Sequence, residues 1–293
     1  MQKQMKVTIA IPFYNPGEFL KDAIRSVFAQ TFEDWELLLV DDGSTDGSLQ
    51  LAQQVTDERV RVFSDGKNLG IAYRLNQIAG LAQGTFIARM DADDLMHPNR
   101  IAEQLAEAEK SQADIVGSDA YSIDACSNVI GYRDSLRDVN NPAILLEKTL
   151  FLHPTVFARS DWLRDNLYDT KFYRSQDRDL WCRTFGKFTF VNMSKPLLYY
   201  REVGRFSFAK YVEHKYEDII IIIRHCKKMT DFVTMLMLLI KNTLKIAAYS
   251  IYAALGKEDV LIRARSQALP HDRLQFAQQA LDKVRHTMIP GIG

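Results

Sequence analysis

Phe86-Ile87-Ala88-Arg89-Met90-Asp91-Ala92-Asp93-Asp94 is an apolar run that ends in three carboxylates within four residues. The run has the length and composition of a buried strand. Carboxylates crowded at its end repel one another unless a cation sits among them. Hard divalent ions such as Mg2+ and Mn2+ take carboxylate, phosphate and water oxygens, and so fit this place. A second reading is an acidic loop that only leads into a helix, because Asp is favoured at helix starts and Pro98-Asn99-Arg100-Ile101 follows.

The residues before it repeat one theme. Val7-Thr8-Ile9-Ala10-Ile11 reads as a strand that stops at Pro12 and opens a loop through Gly17. Phe19, Leu20, Ala23, Ile24, Val27 and Phe28 then recur at helical spacing. Trp35 to Val40 predicts a second strand, closed by Asp41-Asp42-Gly43-Ser44-Thr45-Asp46-Gly47, with Leu49, Ala52 and Val55 carrying a helix onward. Val60 to Phe63 is a third strand, and the turn Lys67-Asn68-Leu69-Gly70 opens a helix through Ile71, Leu75, Ile78 and Ala79. Strands alternating with helices predict an α/β fold with a Rossmann-like, mostly parallel sheet. Ligands of such sheets bind outside the carboxyl ends of the strands, where the loops after Ile11, Val40 and Met90 all lie. The sequence contains neither the glycine fingerprint of a dinucleotide site nor a P-loop. What these loops offer instead is carboxylates and an aromatic ring.

The chain has 293 residues and a balanced formal charge, so no global excess points to nucleic acid. The balance is uneven along the chain: from residue 201 onward there are 15 Lys and Arg against 9 Asp and Glu. Cys126, Cys182 and Cys226 are odd in number and form no CxxC pair, which fits a reducing cytoplasm. Met1 to Lys6 leads directly into a strand, and secretion is not expected from it.

The ordered set Pro12-x-Tyr14-Asn15, Gln30-Thr31-Phe32, Asp41-Asp42-Gly43-Ser44-Thr45-Asp46, Asn68-x-Gly70 and Asp91-x-Asp93-Asp94 resembles glycosyltransferase family 2. His153-Pro154-Thr155 and Gln176-Asp177-Arg178-Asp179 look like later landmarks of the same family, and the resemblance spans roughly residues 5 to 205. It implies a GT-A fold and an inverting enzyme that uses a nucleotide sugar. Carried over by motif position, Pro12, Tyr14 and Asn15 line the nucleotide and Asp42 accepts a hydrogen bond from the base, which points to UDP. Asp93 is the metal ligand for Mn2+ or Mg2+. Asp91 holds the ribose or a metal-bound water, and Asp94 is structural. Arg74 and Arg89 stand near these loops in sequence and are phosphate candidates. Asp177 takes the place of the general base, with Asp179 as the alternative. His153 is an acceptor-side candidate, and Trp181 offers an aromatic face that suits a sugar ring.

Beyond Arg201 the composition changes. Ile219 to Ile223 is followed by a basic cluster and then by the long apolar stretch Phe232 to Leu255, interrupted by Lys241 and Lys245. As a helix, this stretch gathers Asp231, Thr234, Lys241, Asn242 and Lys245 on one polar arc and leaves a wide apolar face. Two lysines argue against a spanning segment. The expected occupant of the apolar face is a bilayer surface, with the catalytic body or a second subunit as alternatives. The chain therefore divides into a catalytic region, residues 1–205, and a helical, basic region, residues 206–293. The first splits into a nucleotide-sugar half to about residue 100 and an acceptor half. The setting expected is surface polysaccharide synthesis on a lipid-diphosphate acceptor, peripheral to the inner membrane face. A sugar nucleotidyltransferase and a non-catalytic nucleotide-binding subunit are the rival readings.

Overall fold

Val7–Phe13 (β1) and Trp35–Asp41 (β2) are buried along their whole length. Strands covered on both faces are the centre of a sheet, which is why they read as continuous apolar runs. The computed structural model, which describes residues 6–137, 139, 141–202, 207–255 and 267–292, pairs β1 in parallel with β2 on one side. Val60–Phe63 (β3) then extends β2 in parallel, and Phe86–Arg89 (β4) lies parallel to β1 on the other side. The crossovers are Phe19–Phe28 (α1), Ser48–Gln53 (α2) and Ile71–Leu81 (α3).

The second half is mixed. Leu95–Met96 (β5), Arg100–Ser111 (α4), Ile115–Ile123 (β6), Val129–Arg133 (β7) and Pro142–Leu145 (α5) come first. Phe157–Arg159 (β8), Ser160–Asp165 (α6), Gln176–Thr184 (α7) and Phe190–Arg201 (β9) complete it. The nine-stranded sheet runs β3-β2-β1-β4-β8-β6-β9-β5, with β7 paired to β6. β8 is antiparallel to both β4 and β6, while β6 and β9 are parallel. Leu20, Ile24, Ile101 and Leu105 from α1 and α4 cover one face, and Leu75, Ile78, Trp162 and Trp181 from α3, α6 and α7 the other.

Phe208–Met229 (α8), Phe232–Ala254 (α9) and His271–Arg285 (α10) form the C-terminal region. α8 docks on α7 through the fully buried Ile221 and Ile222 and through charge: Arg178 pairs with Asp218, and Asp179 with Arg224 and His225. α10 sets Ala277, Leu281 and Val284 against Leu95, Ile123 and Tyr199.

The polar arc of α9 faces the protein. Asn242 is buried and donates to the Leu238 carbonyl at 2.9 Å, and Lys241 and Lys245 both reach toward Glu147. The apolar side points outward, with Phe232 71 %, Met237 57 % and Leu244 64 % exposed. Part of the apolar stretch does pack on the protein as the alternative expects, with Leu238 buried in the core and Met235 and Leu239 against it, while the outer side stays exposed.

Candidate active site

The loops after β1 and β2 are laced together. Asn15 accepts from the Thr45 amide through its side chain at 2.7 Å, and its own amide donates to the Ser44 hydroxyl at 3.0 Å. Asp46 accepts from the Gly17 amide at 2.8 Å, and Asp41 from the Ser44 amide at 2.9 Å. Gly43 has φ +79°, and a Cβ there would lie 2.9 Å from the Lys67 carbonyl carbon, so the tight approach of the two loops requires glycine. Much of the Asp41–Asp46 segment thus shapes the loop. Gln30, just past the end of α1, works similarly, accepting from the Ile101 amide and donating to the His97 carbonyl, and so holds the approach to α4.

Asp42 sits at the centre of this frame. Its Oδ1 accepts from the Leu69 amide and from Arg74 Nε, both at 2.8 Å, and its Oδ2 accepts from the Gly70 amide at 3.0 Å. Oδ2 keeps a second lone pair, the capacity an imide N–H needs. Arg74 is corrected as a phosphate candidate. It is 1 % exposed, and its guanidinium donates to Asp42, Asp65, Gln77 and the Lys67 carbonyl, which uses all five N–H groups. Its task is to fix Asp42.

The acidic loop after β4 gathers one oxygen from each of Asp91, Asp93 and Asp94 within 4.8 Å of one another. Burial, and then the neighbouring Asp91, pushes the Asp93 carboxyl up to about 6. Burial, with Asp93 and Asp91 adding repulsion, pushes Asp94 far above the usual carboxylate range. Asp94 Oδ1 accepts from the Arg201 amide at 2.8 Å, while its buried Oδ2 has no hydrogen-bond partner. Three crowded carboxylates, one of which has a buried oxygen without a partner, fit a divalent cation. Asp94 does not cap α4, whose N-cap is Asn99.

Two arginines for which the sequence suggested no role hold this loop. Arg201 donates from Nε to the Asp93 carbonyl at 2.7 Å, and Arg100 donates to the Arg89 carbonyl at 2.8 Å. Arg89 makes a two-pronged pair with Asp91, leaving its buried Nε without a partner.

Three cavities form one cleft across these loops. The first, about 350 Å³, is lined by Pro12, Tyr14, Asp42, Asn68 and Ile71. The second, about 440 Å³, shares Pro12 and Tyr14 with it and adds Asn15, Asp91, Asp93 and Tyr200. The third, about 800 Å³, shares Asp91 and Tyr200 with the second and is walled by Gln176 of α7 and by residues of α8 and α9. Eight predicted residues, Pro12, Tyr14, Asn15, Asp42, Arg74, Asp91, Asp93 and Arg89, line this cleft, Arg74 with its guanidinium already fully engaged. In sequence Gln176 reads only as part of a landmark and Tyr200 only as packing at the sheet edge, and the cations from the tail were missed; the fold brings all of them here.

Asp177 lies in the first turn of α7 beside Gln176, 9 % exposed, and accepts from the Thr149 hydroxyl at 3.0 Å. Burial pushes its carboxyl above the ordinary value. Asp179, two residues on, is fully buried against Arg183, Arg224 and His225, which identifies it as a lock between α7 and α8. His153 is tied to the Tyr168 hydroxyl at 3.0 Å, and burial keeps its ring neutral. Trp181 is corrected as a sugar platform: it is 0 % exposed and packs edge-on against Phe151, with ring centroids 5.0 Å apart.

Comparison with known proteins agrees with this geometry. The glycosyl transferase family 2 model matches residues 8–169. The putative glycosyltransferase EpsE of Bacillus subtilis is 30 % identical over 243 residues, 78 % of this chain and 84 % of that one. The cholesterol galactosyltransferase of Borreliella burgdorferi is 30 % identical over 56 % of this chain and 47 % of its own length. Among solved structures, S. aureus TarS 1-349 superimposes with a TM-score of 0.64 at 18 % identity, covering 85 % of this chain and 74 % of TarS 1-349. The mannosyltransferase PcManGT of Pyrobaculum calidifontis, in complex with GDP-Man and Mn2+, gives 0.60 at 14 % identity over 97 % of this chain and 87 % of its own. The chain has a GT-A type fold and belongs to glycosyltransferase family 2.

Proposed function

We propose that this protein is an inverting hexosyltransferase that moves a sugar from UDP to an acceptor hydroxyl. The acceptor we infer is a saccharide on a lipid diphosphate, in the synthesis of a surface polysaccharide. The observation that carries the reading is the continuous cleft from Asp42 past Asp91 and Asp93 to the first turn of α7. TarS, of similar fold, has been solved with UDP-GlcNAc, which supports UDP as the nucleotide. The family membership leaves the sugar nucleotidyltransferase reading without support.

In this account Tyr14 and Pro12 bracket the base, and Asp42 accepts from its imide N–H through Oδ2. Asp93, with Asp91, holds Mn2+ or Mg2+, which when bound offsets the charge of the departing diphosphate. Asp91 is shared with Arg89, so a ligand that draws Asp91 toward itself frees a guanidinium edge for phosphate oxygens. Asp177 takes the proton from the acceptor hydroxyl as its oxygen bonds to C1 and the C1–O bond to UDP breaks. Burial, by lifting the Asp177 carboxyl, makes it a stronger base than an exposed aspartate. A single displacement inverts the anomeric centre and needs no carboxylate nucleophile.

Residues 1–205 are proposed as the catalytic region and 206–293 as the membrane-facing one. Phe232–Ala254 is long and apolar enough to cross a membrane, yet only 11 % of its most apolar window is buried in the protein, and two lysines interrupt it. An interfacial position at the inner membrane face fits its exposed apolar side and the nearby lysines. The test is incubation with Mn2+, membrane lipid extract and a panel of radiolabelled UDP-sugars. Label passing into the lipid phase with wild type and lost with Asp177→Asn is the expected result. No transfer from any donor would instead favour a non-catalytic nucleotide-binding subunit.

A further inference from the structure

The 800 Å³ chamber at the end of the cleft is basic. Arg89, Arg174, Lys210, His214, Lys215 and Lys245 line it, against one carboxylate, Asp91. Some of that charge is already matched. Arg89 pairs with Asp91, Arg174 with Glu213 and Lys215 with Asp218. Among the described residues Lys245 reaches only Glu147, at 3.9 Å, and that carboxylate already holds Lys241. Lys210 has no carboxylate partner among the described residues. Burial, and then the nearby Lys215, pulls the Lys245 ammonium below its ordinary value, as expected where positive charge is crowded and unmatched. Arg89, 5 % exposed, adds a buried Nε without a partner. A group with several anionic oxygens satisfies all of these.

Lys245 also belongs to a second feature. On the outer side of α9, Met237, Ile240, Leu244 and Ala248 form an apolar groove of about 450 Å³ with Lys241 and Lys245 at its border. One lysine thus stands at the junction of an apolar groove and a cationic chamber that opens onto Asp91. An occupant of both has an apolar chain outside, an anionic group at the lysine, and its remaining part in the cleft.

We propose that Lys245 and Lys210 bind the diphosphate of a lipid-linked acceptor, with the first part of the lipid chain lying along the α9 groove. This deepens the acceptor assignment above and rests on it. The diphosphate would stand near the helix pair α8 and α9, and the sugar it carries would project toward Asp91 and α7. The C-terminal region then selects the acceptor as well as meeting the membrane.

The test uses the full-length protein, Mn2+ and saturating UDP, with farnesyl diphosphate as the probe and binding followed by calorimetry. Pyrophosphate and farnesol supply the two halves of the probe separately. Farnesyl diphosphate should bind together with UDP and about tenfold or more tightly than either half, since each buried methylene and each charge contact adds. Lys245→Glu should weaken it by about tenfold or more while UDP affinity stays within about twofold. Lys245→Gln, which keeps most of the stem, serves if the charge reversal disturbs folding. The proposal is overturned if Lys245→Glu and Lys210→Glu both leave farnesyl diphosphate binding unchanged, if UDP displaces it, or if pyrophosphate binds equally well. Equally tight competition by soluble glycerol 3-phosphate would also overturn it, by making the chamber a headgroup site. Lys245-dependent binding of farnesyl diphosphate by a protein that fails to bind UDP would sustain the chamber and refute the donor reading instead.

Discussion

Asp177 and Asp179 lie two residues apart on α7, and neutralising each one should do opposite things. Asp179 is fully buried and accepts from Arg183 at 2.7 Å, Arg224 at 3.0 Å and His225 at 2.9 Å. Removing one partner of a buried charge cluster costs about 3–5 kcal/mol. The side chains of Arg183 and Arg224 are each about a third exposed and can turn to water, so Asp179→Asn belongs at the low end, about 3 kcal/mol. For a chain of this size that lowers Tm by about 5–10 °C. Asp177→Asn keeps an oxygen for the Thr149 hydroxyl and removes a carboxylate that burial disfavours, so its stability should stay within about 1 kcal/mol of wild type. Its transfer rate should fall by about 10²–10⁴, the share of a general base. Thermal unfolding and radiolabel transfer, measured on both variants below the lower Tm, give the two readouts. The base assignment is refuted if Asp177→Asn transfers at the wild-type rate. The lock between α7 and α8 is refuted if Asp179→Asn melts with wild type.

Further outcomes follow from the acidic loop, the nucleotide loop and the tail. Asp93 titrates near 6 in the fold against an ordinary 3.8, so the metal-free fold holds that proton more tightly than the unfolded chain does. Stability contributed by this group is present below pH about 4 and is lost as pH rises toward about 6. Mn2+ should restore it, so the Mn2+-induced gain in urea melts should grow across that interval; a gain independent of pH would remove Asp93 from the metal site. Gly43→Ala forces a side chain into a φ of +79° against the Lys67 backbone, and should cost about 1–3 kcal/mol and weaken UDP binding, read by denaturant melts and calorimetry. Replacing Leu236, Ile240 and Leu244 together by Asp touches only exposed positions on α9. It should abolish sedimentation with anionic vesicles and leave UDP affinity unchanged; vesicle binding that survives would assign that face to another partner.

The parallel half of the sheet was legible because each unit is local. A β-branched or apolar run, a loop carrying Gly with Asn or Asp, and a helix at 3.6-residue spacing occur in order three times before β4. The mixed half was not, because β5 has two residues and β8 three, too short for any periodicity, and their pairing depends on distant partners. Site residues divide the same way. The loops of Asp42, Asp91 and Asp93 were legible because loops at strand ends must face the crevice, and the role of each residue came from its position in the family motifs. Arg74 and Arg89 looked alike in sequence, yet Arg74 sits on α3 under Asp42 whereas Arg89 ends β4 beside Asp91. Residues two apart on a helix point to opposite sides, which is why Asp177 meets Thr149 and Asp179 is turned to α8. In the tail, the periodicity of α9 revealed two faces but not which one turns inward. Glu147, lying in the body of the protein, decides that by drawing Lys241 and Lys245 to itself. The cationic chamber was illegible for the same reason, since it joins Arg89 to lysines more than a hundred residues away.

The central claim is that one cleft holds a uridine diphosphate between Asp42 and a metal on Asp93. Calorimetric titration of UDP into the full-length protein, with Mn2+ and again with EDTA, tests it directly. The account predicts binding that requires Mn2+ and weakens by about tenfold or more in Asp93→Asn. UDP binding that is equal in EDTA and in Asp93→Asn, or binding of GDP in its place, would contradict it.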